Sequence, residues 1–357
     1  MIGYTWSCSY RKEDFQFVDA IIVEDLWKIY RVKEHRNGFV GGLIDLFRPV
    51  WKEKEAVRGI HFTIPQGQSV GYIGPNGSGK STTIKMLTGI LTPTSGKVRV
   101  NGIDPSRRRR ENARQIGVVF GQRTQLWWDL AIKESFELFR HIYRIDEKTF
   151  RKNVEMMTEL LDLDQFASIP VRQLSLGQRM RAEIACAFFH DPKIVYLDEP
   201  TIGLDVVAKE RIRTFLKEIN REKKTTIILT THDMDDIEHV CERLILIDHG
   251  RIIYDGNLQR FVDNYGTDRI LTVQFEEPQT SVELECGELI GFDQRQASIR
   301  FKKNEISATK LIQQLTARYP IRDCQIEEPK IEHLIRHVYE SENVEDEGIH
   351  AHDHISI

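Results

Sequence analysis

Along the chain the period of apolar residues changes several times, and each change marks a new element. Ser69-Val70-Gly71-Tyr72-Ile73 is an apolar run of strand length, and Ile84-Lys85-Met86-Leu87 has helical spacing, with a glycine-rich stretch between them. Residues 20–26 and 57–64 read as strands. The stretch between them, 31–54, exceeds the usual connection and contains the apolar run Phe39-Val40-Gly41-Gly42-Leu43-Ile44-Asp45-Leu46-Phe47. Capping of the sheet is the plainer role for that run, and contact with a membrane partner the alternative. Residues 97–100 form a strand ending at the hairpin signal Asn101-Gly102. From Leu126 to about Ile169 the period is helical. Short apolar runs at 194–197, 225–229 and 244–247 then alternate with a helix over 208–220, the pattern of parallel strands joined by crossover helices.

Past Tyr265-Gly266 the pattern changes again. Residues 271–275 and 297–301 alternate as half-buried strands, 307–318 form an amphipathic helix, 321–326 a strand and 331–339 a helix. This predicts an N-terminal extension (1–19), a main domain (20–264), a small α+β accessory domain (265–340) and a polar, acidic, disordered tail (341–357). His350, His352 and His354 in that tail make a weak metal site, since nothing fixes further ligands.

Composition narrows the class. The 357 residues are 40% hydrophobic and 29% charged, enough for a large core and two domains. A net charge of -4 gives no reason to expect a nucleic-acid partner. Arg107 to Arg110 could meet nucleic acid or acidic lipid, but beside Glu111 they read as a solvated face. No apolar run reaches the length that crosses a bilayer, and the first residues lack the apolar core of a secretory signal. The five cysteines, scattered without a C-x-x-C pair, favour free thiols in a reducing compartment.

The chemistry concentrates between strand and helix. Gly74-Pro75-Asn76-Gly77-Ser78-Gly79-Lys80-Ser81-Thr82 is a phosphate-binding loop: glycines let successive backbone N–H groups converge on phosphate, Lys80 reaches the β- and γ-phosphates, and Ser81 offers a hydroxyl to Mg²⁺. A plain glycine-rich turn does not account for the lysine.

A second string, Leu174-Ser175-Leu176-Gly177-Gln178, resembles the signature motif of ATP-binding-cassette (ABC) ATPases, with Leu176 where glycine is commonest. In the family's order stand also Val119-Phe120-Gly121-Gln122 (Q-loop), Ile194 to Pro200 (Walker B), Gly203-Leu204-Asp205 (D-loop) and Thr230-Thr231-His232-Asp233 (switch histidine). The resemblance covers roughly residues 20–260. It implies an α/β P-loop NTPase core with an antiparallel β subdomain and a helical subdomain at about 123–180.

The same resemblance implies ATP and Mg²⁺ as cofactors and assigns roles. Ser81 holds Mg²⁺ and Asp198 binds it through water, Gln122 senses both the metal and the attacking water, Glu199 polarises that water, His232 contacts the γ-phosphate and Thr82 the α-phosphate. Tyr30 would stack on adenine, with Trp27 as a rival and a core tyrosine as the plain alternative. Ser175 and Gly177, with Gln178 and Asp205 near them, would meet nucleotide held by a second ATPase subunit, so two chains would sandwich two ATP molecules.

One cassette, a short interval between phosphate loop and Walker B, and no zinc pattern favour a transporter subunit over a cassette acting on nucleic acid or ribosomes. The strings around Gln122 and Gln178 resemble the bacterial ABC-2 exporter branch, near the daunorubicin-resistance and viologen-exporter ATPases. That implies a separate transmembrane permease, a peripheral place at the cytoplasmic face of the membrane, and export. Trp127 and Trp128 are expected either at the cleft that receives the permease or in the helical subdomain's core.

Overall fold

The computed structural model of the chain describes residues 19–34, 50–121 and 124–352. The candidate Gln122, the Phe39 to Phe47 run, the extension over 1–18 and His354 lie outside them. Strands β1 (Asp19–Glu34) and β2 (Val50–Pro65) pair antiparallel. Both are longer than the sequence pattern predicts, because their outer halves, such as Arg31 and Glu53, carry exposed charged residues that hide the alternation. After β3 (Ser69–Ile73) and α1 (Lys80–Leu87), β4 (Ser95–Val100) joins the other side of β1, giving a three-stranded sheet of order β2-β1-β4.

There follow α2 (Arg109–Ala113), β5 (Ile116–Phe120) and the helices α3 (Ile132–Tyr143), α4 (Glu147–Leu161) and α5 (Leu176–Phe188). The chain then runs through β6 (Ile194–Asp198), α6 (Val206–Lys223), β7 (Thr226–Thr230), α7 (Met234–Val240), β8 (Arg243–Asp248), β9 (Arg251–Asn257) and α8 (Leu258–Tyr265). The main sheet has the order β5-β6-β7-β3-β8-β9, parallel except for the β8/β9 hairpin. Helices α3 to α8 and the helix that begins at Ile331 cover one face, and α1 with the three-stranded sheet covers the other. Along β6, Val195 and Leu197 enter one core while Ile194 and Tyr196 enter the other, as the two-residue period of a strand requires.

His190, just past α5, ties that helix to β5. Its ring stacks on Tyr143 at 4.0 Å, and its Nε2–H donates to the Ile116 carbonyl at 3.0 Å. Nδ1 is buried and has no hydrogen-bond partner among the described residues. Burial pushes the imidazole from 6.5 down to about 4. The folded protein therefore refuses a proton that the unfolded chain accepts, and stability falls by up to about 3 kcal/mol as pH drops through that window. Urea unfolding at pH 7 and pH 4.5 checks this. His190→Asn should flatten the pH dependence, and an unchanged slope would assign the acid loss to other groups.

The last part holds β10 (Asp268–Phe275), β11 (Glu288–Asp293), β12 (Gln296–Lys302), α9 (Ala308–Thr316), β13 (Ile321–Glu327) and α10 (Ile331–His352). The four strands form an antiparallel sheet of order β11-β12-β10-β13 with its own core, in which Leu271, Val273, Ile299 and Phe301 meet Leu311 and Leu315 of α9. Helix α10 differs from the sequence expectation in two ways. Ile331, Leu334, Ile335 and Val338 pack into the core of the main domain, not that of the accessory sheet. The helix also continues past Tyr339 to His352, through residues expected to be disordered, because 340–352 contain no proline and a single glycine. No helix among the described residues is long and apolar enough to cross a membrane.

Candidate nucleotide site

The phosphate loop leaves the buried end of β3 and turns directly into α1. A Cβ at Gly74 would collide with the Ile247 carbonyl and the Ser78 hydroxyl. One at Gly79, where φ is +111°, would meet the Ala56 carbonyl. Glycine is required at both places by close approach. Helix α1 starts from Gly79 with no side-chain cap among the described residues, so its first-turn N–H groups stay open beside the cleft that Gly79, Lys80, Ser81 and Thr82 line. Lys80 donates from Nζ to the Pro75 carbonyl at 3.0 Å and also to that of Gly74. Burial lowers its pKa, while Glu199 and Asp198 pull it back up. Pro75 and Ser78 shape the loop from behind: the Ser78 N–H donates to the Pro75 carbonyl at 3.2 Å.

Two acids end β6 on the opposite wall. Asp198 accepts the Thr230 hydroxyl at 2.5 Å. Glu199 takes a left-handed backbone, φ +55°, held by its N–H donating to the Thr230 carbonyl at 2.9 Å. Its carboxylate accepts from His232 Nδ1–H at 2.7 Å. Such a conformation is costly for a residue with a side chain, and it is over-determined here by the β6/β7 pairing. The Gly121 N–H donates to the Asp198 carbonyl at 2.8 Å, and a Cβ there would lie 2.7 Å from the Glu199 carbonyl. Gly121 thus sits directly beside the acids.

The cleft between these walls measures about 950 Å³ and also takes in Asn76, Gly77 and Tyr30. Lys28 Nζ lies 5.3 Å from the Tyr30 ring centroid. Trp27 turns its indole N–H to Asp25 at 2.9 Å and packs near Gly59, outside the cleft lining. Of the two aromatics, Tyr30 is the one the fold places at the cleft.

Ser175, Gly177, Gln178 and Asp205 do not line this cleft. Ser175 caps α5: its Oγ accepts the Gln178 N–H at 3.2 Å, and Gln178 Oε1 accepts the Ser175 N–H at 2.9 Å, a reciprocal capping box. Asp205 caps α6 by accepting the Ala208 N–H at 2.8 Å. Gly177 packs toward Ala208, and Leu176 stands half exposed against Gly203, so the starts of the two helices make one surface.

A buried network behind the His232 loop is absent from the sequence reading. Arg213 Nε donates to Asp236 Oδ1 at 2.6 Å, and Asp236 Oδ2 accepts the hydroxyls of Thr201 and Thr231. Although burial pushes Asp233 up, its bond to Lys209 and the Lys209 and Arg213 charges hold the carboxyl below its usual range. The network pins the segments after Glu199 and before α7. Only Asp233, next to His232, carried a local signal; Arg213 and Asp236 lie on different helices with no short-range spacing. Trp127 and Trp128 are 39% and 51% exposed. Trp127 packs on Phe139 with ring centroids 5.6 Å apart, and Arg179 lies 5.7 Å from the Trp128 ring centroid. Neither is a core residue.

Residues 57–202 match the family described as ABC transporter. The chain is 33% identical over 218 residues to the ABC transporter ATP-binding protein NatA of Bacillus subtilis, covering 61% of this chain and 88% of that one. It is 33% identical over 232 residues to Nod factor export ATP-binding protein I of Rhizobium sp., covering 65% and 76%. Among solved structures, the dimeric post-hydrolysis ATP-binding cassette MJ0796 bound to ADP and Pi is 28% identical, with a TM-score of 0.56 over 67% of this chain and 98% of that one. The cbiO1 protein from Clostridium perfringens, part of the ABC transporter complex cbiONQ, is 28% identical with a TM-score of 0.56 over 69% and 91%.

Proposed function

The chain belongs to the family of ABC transporter ATP-binding proteins, and on that premise we propose that it hydrolyses Mg²⁺–ATP in a dimer that powers export through a separate membrane permease at the cytoplasmic face. The observation that carries this reading is the separation, within one chain, of the phosphate cleft from the surface bearing Ser175, Gly177, Gln178 and Asp205. A second chain can bring that surface to the first chain's cleft.

In this reading the open amides of 74–82 and the Lys80 ammonium hold the β- and γ-phosphates, and Tyr30 receives the adenine face. Ser81 and Asp198, with Gln122, supply the oxygen donors that a hard divalent cation takes; when bound, that cation neutralises phosphate charge. Glu199 orients and polarises the attacking water, and His232 moves from its bond with Glu199 to the γ-phosphate. Ser175 and Gly177 of the second chain close the site, with Gln178 and Asp205 fixing the two helix starts that present them. Export follows the relatives' Nod factor export systems, and the substrate is set by the permease.

Transport coupling supplies the test. Trp128, the more exposed of the pair, is proposed as an anchor for a permease segment, and such aromatic anchors are worth about 2 kcal/mol or more. Trp128→Ala should leave the isolated subunit's ATP-dependent dimerisation and hydrolysis near wild type while cutting transport by the assembled complex more than about tenfold. Trp127→Ala should also lower the melting temperature, through its lost packing on Phe139. Equal stability losses with no selective transport defect would remove the docking role. A wild-type chain that neither dimerises nor hydrolyses Mg²⁺–ATP would overturn the ATPase reading.

A further inference from the structure

A single buried carboxylate links residues 124 and 125 to the helix that presents Ser175 and Gly177. Glu183, on α5, is 4% exposed. It accepts the Thr124 hydroxyl, and the Gln125 N–H at 3.1 Å from each oxygen. The Gln125 side-chain amide donates back to the Glu183 carbonyl at 3.1 Å, and Thr124 Oγ1 accepts the Leu126 N–H at 3.1 Å. One turn earlier on the same helix face, Arg179 lies over Trp128. The hydrogen bonds to Glu183 are therefore what fasten residues 124–126 to α5, and the ring contact of Trp128 is not needed for that link.

A carboxylate is a costly choice for this position. Its neighbours Ala182, Ile184, Ala185 and Cys186 are fully buried and apolar or nearly so, and burial pushes the Glu183 pKa up against its hydrogen bonds. A small apolar residue would fill the site without that desolvation cost. What an apolar residue cannot do is fix where 124–126 sit, because only hydrogen bonds set the register of an irregular segment on a helix. Glu183 lies eight residues after Ser175 on one continuous helix, about 12 Å along its axis, so the two move as one body.

We propose that Glu183 is a positioning residue that locks the segment following Gln122 to the signature helix, so that displacement of that segment reorients Ser175 and Gly177 toward the partner chain's nucleotide. This rests on the reading of Ser175 and Gly177 as contacts to the second subunit's ATP. ATP is first bound by 74–82, which the link does not touch. Loosening it should therefore slow turnover and dimer closure without weakening first binding.

Thr124→Val in the full-length chain tests this, because valine keeps the shape of threonine and removes only the hydroxyl. With Mg²⁺–ATP, kcat should fall at least about tenfold while KM for ATP stays within about twofold, since valine loses both the bond donated to Glu183 and the one accepted from the Leu126 N–H. In a Glu199→Gln background, the ATP concentration for half-maximal dimerisation should rise by about the same factor. Thr124→Ser restores the hydroxyl and should restore both. The proposal is overturned if Thr124→Val matches wild type, if KM rises with kcat unchanged, or if Thr124→Ser fails to rescue. An inactive, monomeric wild type would overturn the ATPase reading itself; an active wild type with an indifferent Thr124→Val removes only the link.

Discussion

Glu199→Gln is expected to keep ATP binding, to lower turnover at least about 10²-fold, and to hold an ATP-bound dimer that size-exclusion chromatography isolates. The amide has the shape of the carboxylate and retains an oxygen to accept the His232 N–H, so the 2.7 Å contact and the placement of the switch loop survive. The left-handed backbone at 199 is held by Thr230 and the strand pairing, neither of which the substitution touches. The phosphate loop is equally untouched, and Lys80, though it loses the pull of the Glu199 charge, keeps that of Asp198 and its bonds to the Gly74 and Pro75 carbonyls, so affinity for ATP should be largely preserved. What disappears is the negative charge proposed to polarise water, and with it, in that reading, the step that separates the two chains. A variant that turns over ATP near the wild-type rate would remove Glu199 from that role.

The residues of this site differ in how far the sequence reveals them, and the difference is physical. The phosphate loop and the Asp198-Glu199 pair are contiguous strings at strand ends, so their chemistry and placement can be read together. Tyr30 and Trp27 could not be separated by alternation. The β1/β2 register shifts between Leu26 and Lys28 and again between Lys28 and Ile29, which breaks the two-residue period that would assign each side chain a face. The Arg213–Asp236 network and the Glu183–Thr124 link join residues tens of positions apart. No local pattern announces them.

The accessory part shows the same limit. β10 and β12 alternate because one face is buried, whereas β11 is exposed along its length and interrupted by Gly291, so it carries no strand signal. The apolar stripe of α10 was legible as a helix over 331–339. Its partner was not, since a stripe states that a face is covered and not by which core. The boundary at residue 340 therefore falls inside a helix that belongs to the main domain's packing.

A mixed dimer carrying Ser175→Ala in one chain and Lys80→Ala in the other should retain one working site. If the Lys80 cleft of each chain is completed by Ser175 of its partner, both substitutions fall in the same composite site and the second site is wild type. Nucleotide trapping should then recover roughly half of the wild-type amount. Placing both substitutions in one chain, with a wild-type partner, reverses the outcome: each composite site now carries one defect, and trapping should fall toward that of a double Lys80→Ala dimer. Chains that build complete sites alone predict the opposite pair of results. Ser175→Ala also removes the cap of α5, at a cost of about 1 kcal/mol, since the Gln178 N–H loses its acceptor. That loss follows the substituted chain in both arrangements, so it lowers both dimers alike and cannot produce the contrast between them. Equal trapping in the two arrangements would sink the shared-site reading, because only the partner's contribution to the cleft distinguishes them.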